Sequence, residues 1–317
     1  MYLIYLSEPV IILFLSVLLD QVFGEPENRH HPVAFIGTFI DRMDQYFRRL
    51  STGRLGGTVF VIVVTFIVLS IILIVQYASS IFLALYIIVS AIILKFSFSL
   101  RSMKDHVLPV IESIERGDLV TARLKTSMIV RRDTTTLDTD LICSAAIETI
   151  AEGFVDGVTG PLFYFPFFGV AGAFFQRTVN TFDSMIGYRD LRNARFGWFA
   201  ARLDTVLNFI PARLGALCIW LASRFRGNES DFRGIVSESS KTESRNGGWP
   251  MGSMAIALGI KLEKKGYYVL GENSRTPGPQ DVREALAIYM LSFWIFLLLF
   301  VIPFSILVFL LVNLSIS

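Results

Sequence analysis

Four stretches of this chain carry no lysine or arginine, and any fold must be built around them. Residues 57–76 hold no charge at all, 285–313 hold none after Glu284, 79–94 are equally apolar, and 2–19 hold only Glu8. A helix of about 20 apolar residues crosses roughly 30 Å of hydrocarbon, so these runs are candidate membrane spans. The break at 77–78 makes 57–76 and 79–94 a tight antiparallel helical hairpin. All 29 Lys and Arg residues fall in 29–54 or 95–283. If the four runs span, both basic regions share a side, and the positive-inside rule predicts that this side is the cytoplasm. The expectation is an all-α, polytopic integral membrane protein of the cell membrane. It has about four spans and a single membrane-embedded domain, with motif regions 20–56 and 95–284 facing the cytoplasm.

Two further apolar stretches, 158–175 and 205–222, do not fit as spans. Each would carry the basic chain that follows it to the wrong side. The first contains two Pro and three Gly, and the second is interrupted by Asn208, Pro211 and Arg213. Such broken elements are tolerated at membrane depth only where they are buried against protein, so both are read as re-entrant or interfacial. Elsewhere the apolar spacing over 107–130 and 137–152 is helical. Residues 226–250, rich in Ser, Gly and Asn, read as a long loop, and no alternation suggests a strand.

Several classes of function drop out early. A net charge of +2 gives no electrostatic support for nucleic-acid binding. Cys143 and Cys218 are isolated and read as buried thiols rather than a disulfide or zinc site. His30, His31 and His106 lack metal-ligand spacing. The first apolar run has no basic flank and no small-residue cleavage site, so it reads as a span rather than a signal peptide. The 57–76 and 79–94 runs lack intramembrane charge, which argues against a transporter.

The polar residues gather in four places. Arg131, Arg132, Asp133 and Thr134 lead into Asp138 and Asp140, and then Glu148, Glu152 and Asp156 recur every four residues. On a helix that spacing puts three carboxylates on one face. They repel one another unless a divalent metal, an ammonium group or the nearby arginines lie among them. The plain alternative is a solvated acidic face. A second set holds Asn180, Thr181, Asp183, Ser184, Arg202, Asp204, Asn208 and Arg213, which either line a site at membrane depth or cap a re-entrant helix. A third, Ser244 to Gly252 with Asn246 and Gly248, offers backbone N–H groups that could cradle phosphate, or is an ordinary loop. The fourth, residues 20–37, contains Glu25 and His31 among turn-forming Pro and Gly.

Taken in order, these pieces resemble the adenosylcobinamide-phosphate synthase family of cobalamin biosynthesis (the CbiB/CobD proteins). The resemblance runs from about Asp20 to Glu272. It rests on D-x-x-x-G-E-P and H-P-V-x-x-x-G at 20–37, R-D-T at 132–134, E-T-I-A-E-x-x-x-D-G at 148–157 and P-L-F-Y at 161–164. It continues with N-T-F-D-S-M-I-G-Y at 180–188, A-R-L-D at 201–204, N-x-x-P-A-R-L at 208–214, N-x-G-W-P at 246–250 and A-L-G at 257–259. Arg131, Gly153, Thr205 and Arg245 depart from the usual pattern.

The resemblance implies an ATP-dependent amide ligase. It would join the free carboxylate of adenosylcobyric acid to aminopropanol or its O-phosphate, giving adenosylcobinamide or its phosphate. ATP and Mg2+ are then the implied cofactors, and the corrinoid is substrate rather than prosthetic group. Carboxylate activation needs metal-binding carboxylates, arginines for anions and a partner for the ammonium. On this expectation the catalytic set is Asp133, Glu148, Glu152, Asp183 and Asp204, and the metal set is Glu148, Glu152 and Asp156. Substrate or nucleotide would meet Arg132, Thr134, Asn180, Arg202, Asn208, Arg213, Asn246, Gly248 and His31. Partners would be the two substrates, the lipid bilayer and later membrane enzymes of the pathway. A non-catalytic signalling or scaffold protein of the same superfamily is the competing reading.

Overall fold

A computed structural model of the chain describes residues 2–26, 30–188, 190–228 and 230–316, with side chains described between 8 and 312. In chain order the first helices are α1 (Tyr2–Phe23), α2 (Pro32–Leu50), α3 (Arg54–Ser79), α4 (Leu83–Lys95), α5 (Arg101–Glu115), α6 (Leu119–Ser127) and α7 (Thr139–Phe154). A π turn, Val155–Thr159, leads into α8 (Gly160–Ile186), followed by α9 (Trp198–Leu207), α10 (Phe209–Phe225), α11 (Phe232–Ser239) and α12 (Gly248–Leu258). A small hairpin of β1 (Leu262–Lys264) and β2 (Tyr268–Leu270) precedes α13 (Pro279–Phe296), a second π turn at Leu297–Val301, and α14 (Ile302–Ile316). The chain is an all-α polytopic membrane protein, as its charge pattern predicts.

Three helical runs are long and apolar enough to cross a membrane: Arg54–Ser79, Thr139–Ile186 and Pro279–Val312. The bent pair α9 and α10 would make a fourth, but it breaks by 46° at Asn208. In Thr139–Ile186 the apolar stretch is confined to 158–175. The α7 portion carries Asp140, Glu148 and Glu152 and lies outside that stretch. Gly169, at φ 61, interrupts α8, so the run is broken as its Gly and Pro content predicts. The long hairpin is less symmetric than expected. The first arm extends to Ser79, and α4 has only 13 residues, about 20 Å at 1.5 Å per residue, which is short of the hydrocarbon thickness.

The chain divides into two compact units. One comprises Met1–Ser99, Gly160–Asn208 and Phe300–Ser317, and the other Leu100–Thr159 and Phe209–Leu299. In the first, α1 packs on α4, and α3 packs on α2, α8 and α9. Its surface is inverted relative to a soluble bundle. Phe14, Phe66, Ile74 and Tyr77 are all more than half exposed, which suits lipid rather than water. Its core is a ring cluster in which Phe60 packs against Phe47, Phe182 and Phe196. Arg48 lies 4.2 Å over Phe196, bonds Asp44 and reaches Asn193 at 2.6 Å.

In the second unit, α7 packs on α13, α12 and β1, while α10 packs on α12 and α13. Asp138 starts α7 by accepting the Leu141 N–H at 3.0 Å, an ordinary N-cap. Residues 107–130 form two helices rather than one, because Gly117 adopts φ 73 between α5 and α6. Residues 226–250 are not a continuous loop: Asp231 caps a short helix, α11, within them. The hairpin at 262–270 is the one sheet among the described residues. Its three-residue strands are too short to give an alternation signal.

Candidate functional site

Helix α7 sets one wall of a cavity of about 530 Å³. Residues spaced by four recur on one face, so Ala145, Thr149 and Gly153 alternate with Glu148, Glu152 and, on the π turn, Asp156. The other walls come from Met103 of α5, the 129–132 segment, the 242–244 segment, Met251 of α12 and the β-hairpin with Lys264, Tyr267 and Tyr268. All of these belong to the second unit.

The three stripe carboxylates have different surroundings. Glu148 is only 4% exposed. Its Oε1 accepts from Ser144 Oγ at 2.8 Å, and its Oε2 accepts from the Tyr268 hydroxyl at 2.7 Å. Arg132 Nη2 lies 2.9 Å from the same Oε2. Ser144 Oγ also accepts the Glu263 N–H at 2.8 Å, and Arg132 Nη1 donates to the Glu263 carbonyl at 3.2 Å. The β-hairpin is therefore bolted to α7 through the groups that hold Glu148. Burial and the Glu148 charge raise the Tyr268 phenol, so it remains a hydrogen-bond donor.

Glu152 has no such partner among the described residues. Solvent reaches it through the cavity, yet protein atoms crowd it closely. That burial, with the charges of Asp156 and Glu148, pushes its carboxyl up to about 7, against a smaller pull from Lys264 and Arg132. A perturbed acid in a cleft is a recognised mark of function. Among the described residues no three His, Cys, Asp or Glu side chains form a group suited to a metal ion. Both oxygens of Glu148 are already occupied by donors, whereas Glu152 has no hydrogen bond among the described residues. Magnesium often needs no more than one or two carboxylates, with phosphates completing its shell.

Only part of the expected set meets here. Arg132, Glu148, Glu152 and Asp156 line the cavity. Asp133 lies outside it on an exposed turn, where Thr135 donates both its N–H and its hydroxyl to Oδ1. Thr134 is buried and donates to the Arg123 carbonyl at 3.0 Å. Arg213 donates to the Phe209 carbonyl at 2.6 Å and lies 3.5 Å over the Phe209 ring and 4.8 Å over Trp249, with Asn246 Oδ1 at 3.4 Å. Gly248 has a packing reason for its identity, since a Cβ there would meet the Ser239 carbonyl oxygen at 2.2 Å.

The remaining candidates belong to the first unit. Gln176 Nε2 donates to Asn208 Oδ1 at 2.8 Å, and Asn208 Nδ2 donates to Asp204 Oδ1 at 3.0 Å. Asn180 Nδ2 reaches the same Asp204 oxygen at 3.4 Å. Tyr164 donates to the Leu207 carbonyl at 2.9 Å, beside the break at Asn208. The Asp183 carboxylate lies where a side chain at Gly187 would stand: a Cβ there would meet Oδ1 at 2.0 Å. Arg202 is exposed on α9. His31 is the N-cap of α2, its Nδ1 accepting the Val33 N–H at 3.1 Å while Nε2 bonds Glu25. Lys95, only 4% exposed, pairs with the same Glu25 oxygen at 3.2 Å.

Sequence reasoning missed Ser144, Lys264, Tyr267 and Tyr268. The Lys-Lys-Gly-Tyr turn at 264–267 was the available signal, since Gly between short apolar runs marks a hairpin.

Comparison with known proteins covers most of the chain. The family model described as CobD/Cbib protein matches residues 13–289. A Thermoplasma volcanium protein named "Probable cobalamin biosynthesis protein CobD" is 40% identical over 93% of this chain and 97% of its own length. Its Thermoplasma acidophilum namesake is 41% identical over the same shares. The "Cobalamin biosynthesis protein CobD" of Dehalococcoides mccartyi is 39% identical over 89% of this chain and 92% of its own length. No solved structure matches the chain.

Proposed function

The chain belongs to the CobD/Cbib family, and from that premise we propose that it serves cobalamin biosynthesis as an ATP-dependent amide ligase. The substrates would be adenosylcobyric acid and aminopropanol or its O-phosphate. The observation that carries this reading is Glu152, a carboxylate with no hydrogen-bond partner among the described residues, in a cavity that also presents Arg131, Arg132 and Lys264. Amide formation needs these opposite charges close together. The amine arrives as an ammonium and must lose a proton before its nitrogen attacks, and an acid titrating near 7 can take that proton at neutral pH. The corrinoid carboxylate must first be activated, for example by accepting a phosphoryl group from ATP as ADP leaves. Phosphate then departs when the amide bond forms. Arg132 and Lys264 would hold the anionic groups. Asp156 is the carboxylate we assign to a magnesium ion arriving on the nucleotide, which would neutralise phosphate charge there. A volume of about 530 Å³ suits a ligand of modest size, the amine or the nucleotide phosphates, rather than a whole corrin ring.

Asp183 and Asp204 enter the proposal as further carboxylates, with Arg202 and Arg213 as further anion-binding groups. Complete segregation of Lys and Arg supports a cytoplasmic orientation for the basic regions. Membrane vesicles of both orientations test the whole reading. They are supplied with adenosylcobyric acid, MgATP and either amine, and adenosylcobinamide or its phosphate is sought by mass spectrometry. Product from inverted vesicles alone is expected. Product from neither orientation, with or without permeabilisation, sinks the ligase reading.

A further inference from the structure

We propose that Tyr268, on the second strand of the hairpin, is a positioning residue that acts through Glu148. The inference rests on the ligase reading above for its activity arm, and on geometry alone for its other arm. Four residues close a ring of hydrogen bonds, and Tyr268 donates into it. Ser144 Oγ accepts from the Glu263 N–H and donates to Glu148 Oε1, each at 2.8 Å. Arg132 links Glu148 Oε2, at 2.9 Å, back to the Glu263 carbonyl, at 3.2 Å. Tyr268 reaches Glu148 Oε2 at 2.7 Å from the opposite strand. Met251 Sδ, at 3.4 Å, is a weak acceptor and no competitor for that hydroxyl.

This ring sorts the acidic stripe into two kinds of carboxylate. Glu148, with three donors from two chain segments and its own helix, is a fixed anion that holds the Arg132 guanidinium in one orientation. Glu152, one turn further along α7, has no side-chain hydrogen bond among the described residues and faces the cavity. Spacing alone made the two equivalent. Tyr268 helps to make them different, because its hydroxyl and Arg132 share one oxygen of Glu148 and so fix the carboxylate plane. Without that hydroxyl, Glu148 can rotate about its last torsion, and the guanidinium that depends on it shifts with it. A small misplacement of a binding group costs turnover more than affinity when the group matters mainly in the transition state.

The test is a double-mutant cycle with Y268F and E148Q in the full chain, reconstituted in bilayers. Y268F alone should lower kcat by between about ten- and a hundred-fold, with KM for ATP and for the amine within about two-fold of the starting protein. In the E148Q background, Y268F should cost nothing further, because a residue that acts through a partner has no effect once the partner is changed. S144A, which removes a different donor to the same carboxylate, should repeat the kcat-specific loss and gives a second route if Y268F folds poorly. Equal losses from Y268F in both backgrounds, or none in either, would overturn the proposal. The same cycle on unfolding midpoints of purified protein needs no substrate. Coupled shifts are expected, and strictly additive ones overturn the clamp. If even the unmodified chain makes no product, the ligase reading fails, while the midpoint cycle still decides whether Tyr268 holds Glu148.

Discussion

The two units hold a carboxylate in different ways. In the second unit, Glu148 is buried and bound by a guanidinium, a phenol and a serine hydroxyl. In the first, Asp204 is half-buried, and two amides donate to its Oδ1, Asn208 at 3.0 Å and Asn180 at 3.4 Å, with Gln176 in line behind Asn208. The amide chain is also incomplete: Gln176 is fully buried, and its Oε1 finds no hydrogen-bond partner among the described residues. A charged donor makes a stronger hydrogen bond than a neutral one, but it also leaves a worse defect when one partner is removed. Glu148 is thus an element whose loss should be felt as instability, whereas cutting one neutral amide link, such as Asn208, should cost less. Glu152, with no donor to its carboxylate among the described residues, stands apart from both.

That contrast gives a ranked set of expectations. The largest effect should come from E152Q, which keeps the shape of the side chain but cannot accept a proton. Amide formation should fall by about 10²–10⁴-fold, measured as product per unit time by mass spectrometry, while the unfolding midpoint at neutral pH does not fall. Near-normal turnover would remove Glu152 from the mechanism. Next, R132A should destabilise the protein by about 3–5 kcal/mol, the usual cost of stranding a buried charge, read from denaturant or thermal unfolding in detergent. A loss under about 1 kcal/mol would mean that Ser144 and Tyr268 suffice for Glu148, and the contrast with Asp204 would then collapse.

A third expectation concerns pH. The Glu152 carboxyl is raised from 4.5 to about 7 in the folded protein. Between these values the native state keeps a proton that the unfolded chain has lost, so stability should fall as pH rises through this window. E152Q should remove that part of the slope. A slope identical in both proteins would place the titrating group elsewhere. The smallest effect is expected from N208A, which breaks a neutral amide chain and should cost about 1–3 kcal/mol. A cost equal to that of R132A would show that the amide chain is as critical as the ion-paired clamp.

Legibility in the sequence followed the range of the interactions involved. The acidic stripe was readable because its residues lie on consecutive turns of one helix, where spacing alone dictates a shared face. The R-D-T motif was visible as a motif but not as three separate roles. Only folding turns Arg132 toward Glu148, Thr134 toward the Arg123 carbonyl, and leaves Asp133 on an exposed turn. Tyr268 escaped altogether: it is 120 residues from Glu148 along the chain, and nothing local marks a tyrosine that will meet a buried carboxylate. His31 was read as a candidate binding group, and the structure gives it a capping role that its place just before Pro32 already suggested.

Membrane character, the broken stretch at 158–175 and the segregation of Lys and Arg along the sequence follow from composition along the chain. They depend on the solvation cost of each segment taken singly, so no tertiary contact is needed to predict them. Local order was less complete, because a helix as short as α11 or a hairpin as short as 262–270 carries too few periods to be counted. The difference among the three stripe carboxylates was set by tertiary structure alone. Their spacing made Glu148, Glu152 and Asp156 alike. What separates Glu148 from Glu152 is a set of donors brought from residues 132, 144 and 268, and the burial that comes with packing β1 against α7.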